Sequence, residues 1–103
     1  MTNLVRQHAK QLRAIAKRRS VRRLAVFGSA LTEEFDSTRR VIDLLVEFDP
    51  LSPVERADAY FGLLADLEAL FGRPVDLVER SALRNPIVRE TVEASQVIVY
   101  DAA

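Results

Sequence analysis

The 103-residue chain has no cysteine and a single histidine, His8. The first absence excludes disulfides, thiolate catalysis and cysteine-ligated zinc, and is compatible with a reducing, cytoplasmic setting. The second excludes a histidine-rich metal site. No apolar run approaches the length needed to span a bilayer, so no membrane role is expected. No acid occurs before Glu33, whereas eight of the fifteen basic residues precede Leu24: Arg6, Lys10, Arg13, Lys17, Arg18, Arg19, Arg22 and Arg23. Such an arm suits nucleic acid, an acidic partner or phosphate groups, or is a solvated helix face balanced by acids elsewhere. An Arg-rich, acid-free start also resembles a transit peptide. It is poor in serine and runs directly into a strand, so it reads as part of the fold.

With 49% hydrophobic and 29% charged residues and no net charge, the composition is that of a soluble globular protein. The length suits a single domain over residues 1–103, too small for separate catalytic and recognition domains.

Leu4, Val5, Leu12, Ile15 and Ala16 recur at helical spacing and predict an amphipathic helix from about residue 3 to residue 17, with His8 packed on the same stripe. Val21 to Phe27 reads as a strand ending at Gly28. A short helix is expected within residues 30–35 and a polar loop over 36–40. Ile42, Leu44, Val46 and Phe48 alternate with Asp43, Leu45 and Glu47, predicting a strand buried on both faces. Ser52 and Glu55 form a capping box with Pro53 at the first helical position, and Gly72 and Pro74 end the helix. Its expected core face is Ala57, Tyr60, Phe61, Leu64, Leu67 and Phe71. A third strand over residues 75–79, a mainly helical stretch over 82–94 and an edge-like strand over 97–100 complete an α/β (α+β) layer order.

The Gly28-Ser29 turn, the strand Ile-Asp-Leu-Leu-Val-Glu-Phe, the later Pro-Val-Asp-Leu-Val-Glu and the closing Val-Ile-Val-Tyr resemble the minimal nucleotidyltransferases of the DNA polymerase beta-like superfamily. The resemblance covers nearly the whole chain. It implies a mixed β-sheet flanked by helices, ATP as substrate and Mg2+ as cofactor. Members commonly sit beside a HEPN-like toxin in toxin–antitoxin pairs, and some silence that toxin by transferring AMP to a tyrosine. The implied site residues are Gly28 and Ser29 for the nucleotide and Asp43 as a catalytic carboxylate that holds metal. Asp76 is implied as a further metal-site and catalytic carboxylate that helps activate the incoming hydroxyl.

Each position has its own physical logic. Gly28 lets backbone approach phosphate, and a helix opening near Ser29 offers unpaired N–H donors to an anion. Residues 41 and 43 point the same way, roughly 6–7 Å apart along the strand, a spacing at which two aspartates share ions about 3.5–4 Å apart. The family pattern has an acid at both positions; here the first is Val41, which ligates nothing. Glu47 lies about 13 Å from Asp43 along the strand, too far to replace it. Asp36 is a loop acid that could swing in, and Arg39 and Arg40 could neutralise phosphate in place of metal. Two readings compete: an adenylyltransferase with a degenerate metal motif, and an antitoxin-like module that masks its partner with impaired catalysis. A nucleic-acid-binding module built on the basic helix is a third.

Overall fold

The computed structural model describes residues 6–27 and 41–102. The element order is helix α1 (Ala9–Arg18), strand β1 (Val21–Phe27), strand β2 (Ile42–Phe48), helix α2 (Pro53–Phe71), strand β3 (Val75–Glu79), a 3-10 turn (Arg80–Ala82), helix α3 (Pro86–Ser95) and strand β4 (Val97–Asp101). The four strands form one sheet in the order β3-β2-β1-β4. β1 is antiparallel to both β2 and β4, and β2 is parallel to β3. A parallel pair needs a crossover, and α2 supplies it.

Local chemistry sets the ends of α2. The Ser52 hydroxyl accepts from the Glu55 N–H at 3.2 Å, and the Glu55 carboxylate accepts from the Ser52 N–H at 3.0 Å. Gly72 closes the helix at φ 67°, a left-handed conformation that glycine adopts without steric penalty. Its N–H donates to the Glu68 carbonyl. At α3 the Asn85 side chain accepts from Ile87 and Val88 ahead of the first turn, with Pro86 just inside.

One face of the sheet carries the main core. Ile42, Leu44 and Val46 of β2 and Leu24 and Val26 of β1 pack against Leu12, Ile15 and Ala16 of α1 and Leu63, Leu67 and Phe71 of α2. His8 stacks edge-on against Phe71 with centroids 5.4 Å apart, a packed position as its spacing predicts. On the reverse face Ala25 and Leu45 are buried, but Asp43 and Glu47 are only half-buried. Burial of β2 on both faces therefore holds in its middle and not at its acids.

The core face of α2 differs from the sequence expectation. Leu63, Leu67 and Phe71 are buried, with Tyr60, Leu64 and Leu70 at the margin, while Ala57 and Phe61 are exposed. Successive helical residues diverge by about 100°, and a helix seated on Leu63 and Leu67 turns Phe61 out to 65% exposure. Phe61 instead meets the Tyr60 ring edge-on at 5.3 Å.

Candidate active site

β2 and β3 are aligned so that Asp43 and Asp76 are direct cross-strand neighbours. The Ile42 N–H donates to the Pro74 carbonyl at 3.1 Å and fixes this register where the pair begins. Ile42 and Leu44 are fully buried on the core face, so alternation turns Asp43 to the reverse face. Parallel neighbours in register share a face, which brings Asp76 beside it, about 5 Å away from strand to strand.

The two carboxylates lie side by side with neither a counter-charge nor a hydrogen-bond partner among the described residues, whereas most of the partly buried acids have one or the other. Glu47 faces Arg23, Asp66 holds Arg18 and Arg19, Glu79 holds Arg56, and Glu93 holds Arg80. Glu55 caps α2, and Glu68 accepts from the Val75 N–H. Asp43 and Asp76 make no ion pair or hydrogen bond among the described residues. Burial, and then the neighbouring Asp76 charge, push the Asp43 carboxyl above the usual range. Burial also raises the Tyr60 phenol, helped by Asp76 and Glu79, and its hydroxyl donates to the Leu77 carbonyl. Two acids side by side without a cation are destabilising unless a ligand supplies positive charge.

Val41 is 44% exposed and immediately precedes β2. Among the described residues no group of three His, Cys, Asp or Glu side chains can hold a metal. The pair fits a divalent ion differently: magnesium is commonly bound by one or two carboxylates, with water and substrate phosphate completing its shell. Phe27, the last residue of β1, pairs with Asp43 on the other side. The chain thus leaves β1 beside the acids, with Gly28 and Ser29 next in sequence. Those two residues, and Asp36, Arg39 and Arg40, lie outside the described residues.

The basic arm is partly neutralised within the fold. Arg19 and Arg18 bind the same oxygen of Asp66 at 2.8 and 3.0 Å, and this holds the Asp66 carboxyl below its usual range, the Arg19 hydrogen bond contributing most. Sequence reading missed the groove of about 410 Å3 between the start of α2 and Glu79, lined by Leu51, Arg56, Tyr60 and Phe61 among others. Neither aspartate lines it, so it is separate from the acid pair. Its one signal in the sequence was the pair of adjacent aromatics, Tyr60 and Phe61, which point about 100° apart around the helix.

The family model for the nucleotidyltransferase domain matches residues 6–98. The Methanocaldococcus jannaschii protein named "Putative protein adenylyltransferase MJ1379" is 33% identical over 100 residues, covering 93% of this chain and 91% of that relative. Protein adenylyltransferase MntA of Thermococcus cleftensis is 34% identical over 87 residues, 84% of this chain and 81% of the relative. A crystal structure of a toxin-antitoxin with AMP-PNP shares the fold at TM-score 0.66 and 16% identity, over 91% of this chain and 73% of that one. With its mixed four-stranded sheet and flanking helices, the chain belongs to the nucleotidyltransferase domain family.

Proposed function

We propose that the protein transfers AMP from ATP to a partner protein, a HEPN-like toxin, using a site reduced to Asp43 and Asp76. The observation that carries this reading is the in-register pair of uncompensated carboxylates at the end of β1. Glu47, Asp66, Glu79 and Glu93 each meet an arginine, and this pair does not. Here the two charges converge on one point, and Asp43 stays partly desolvated.

When bound, Mg2+ would be held by Asp43 and Asp76 and would draw charge from the triphosphate. Gly28 and Ser29 would bind the phosphates through backbone N–H and hydroxyl donors. Asp76 is the more exposed acid, so it is the one placed to orient an acceptor hydroxyl and take its proton. Asp43 remains the ligand, because its partial burial opposes a free charge and favours a paired one. Val41 removes the carboxylate that would hold a second ion, so transfer is slow relative to a site with three acids. That same substitution favours a second reading, in which the chain masks its partner by binding and transfers little.

The test is incorporation of labelled AMP from ATP into a HEPN-like partner by the parent, by Val41→Asp and by Val41→Asp with Asp43→Asn. The proposal expects weak labelling, a clear gain, and loss, in that order. Parent activity equal to that of Val41→Asp would show that position 41 carries no metal function.

A further inference from the structure

The two edges of the sheet are finished differently. At the β3 edge, side chains of α2 occupy backbone groups that a further strand would use: the Glu68 carboxylate accepts from the Val75 N–H at 3.1 Å, and the Tyr60 hydroxyl donates to the Leu77 carbonyl. At the β4 edge, Val97–Asp101 pairs with β1 on one side and has no strand on the other among the described residues. The segment Val-Ile-Val-Tyr-Asp contains no lysine or proline, the usual devices that blunt an edge. Ile98 is 46% exposed.

A groove of about 570 Å3 runs between this edge and α1, lined by Arg13, Lys17, Ile98, Val99, Tyr100, Asp101 and Ala102. Its one acid, Asp101, is 3.3 Å from Arg23. Unlike Arg18 and Arg19, Arg13 and Lys17 make no ion pair among the described residues. They stand one helical step apart at i and i+4, about 6 Å along the axis. Alternate residues of an extended chain are separated by about 6–7 Å, so acids at i and i+2 of an added strand match the two cations.

We infer that the β4 edge and the Arg13–Lys17 face form a docking surface for an extended acidic segment of a partner protein, which joins the sheet as a fifth strand. Main-chain hydrogen bonds supply the affinity of such an addition, and alternate side chains supply the selectivity. A second copy of β4 fits less well, because its only acid is already held by Arg23. Nucleic acid would use the cations but not the strand edge. The surface lies two strands from Asp43 and does not depend on the nucleotide reading.

The test uses a blocked peptide, Glu-Val-Glu-Val-Glu-Val, added to the intact protein and followed through backbone amide NMR shifts. Shifts are expected to concentrate on Ile98 to Asp101, with affinity falling at least tenfold in Arg13→Glu with Lys17→Glu. Both positions are exposed, and unchanged amide shifts elsewhere would show that the variant keeps its fold. The same peptide N-methylated at alternate residues should lose binding while keeping its charge, and a Lys-Val analogue should not bind. Equal binding of the N-methylated peptide would overturn strand addition. So would β4 shifts that appear only with protein concentration, or binding of a single-stranded oligonucleotide without the peptide.

Discussion

Replacing Asp43 by Asn should stabilise the metal-free protein, the reverse of what removing a structural carboxylate does. The folded Asp43 carboxyl sits above its usual value, so between the ordinary value near 3.8 and the raised one the folded state binds more protons than the unfolded state. Stability therefore falls as pH rises through that window, and the whole penalty is present at neutral pH. Burial is the larger cause and the repulsion by Asp76 the second, and the size of the repulsive part follows from the geometry. Two charges about 5 Å apart repel by about 1 kcal/mol in a water-like medium and about 3 kcal/mol at an effective dielectric constant of 20. Asp76 is exposed, which places the pair near the lower figure. For a chain of this size about 1 kcal/mol moves Tm by about 4–8 °C. Thermal unfolding at pH 7 in EDTA should thus show Asp43→Asn melting higher than the parent. Magnesium should close the gap: 10 mM of an ion with a Kd near 1 mM adds about 1.4 kcal/mol to a folded state that binds it, and adds little to the variant. A lower melting temperature for Asp43→Asn in EDTA would refute the reasoning, because it would mean that the fold satisfies the carboxylate internally.

Other perturbations follow from the same geometry. Val41→Asp should lower metal-free stability by about 1 kcal/mol through a further like charge and enlarge the thermal shift produced by ATP with magnesium; no change in that shift would remove position 41 from the site. Ser52→Ala opens the capping box and should cost about 1 kcal/mol, read by urea unfolding with magnesium-dependent ATP binding unchanged. Asp66→Asn should remove about 0.5–1 kcal/mol. The Asp66 contribution is present above the ordinary carboxylate value and lost as pH falls through the depressed folded one, so parent and variant should converge in acid. Parallel pH profiles would contradict the assignment.

What the sequence made legible was mostly local. Ser52, Glu55, Pro53 and Gly72 mark the limits of α2 because capping and left-handed backbone are decided within a few residues. The strands were legible from their apolar runs. Phe61 was misread because its neighbours do not decide which stripe of a helix meets the core; the burial of Leu63 and Leu67 in it does. Asp43 and Asp76 could be named from their strands, but their register could not. That depends on a parallel pairing across the whole of α2. The unequal finishing of the two sheet edges was not legible at all, since Glu68 and Tyr60 reach β3 only once α2 has packed.

The most direct measurement is a manganese titration read by electron paramagnetic resonance, with a non-hydrolysable ATP analogue present and the uptake by the same analogue without protein subtracted. Manganese prefers the same oxygen ligands as magnesium, and its signal counts free ion. Saturable uptake of one ion is expected in the parent, with loss of that uptake in Asp43→Asn, strong weakening in Asp76→Asn, and uptake of a second ion in Val41→Asp. Undiminished protein-dependent uptake when both Asp43 and Asp76 are replaced by Asn would contradict the assignment, because the ion would then be held by groups elsewhere in the chain.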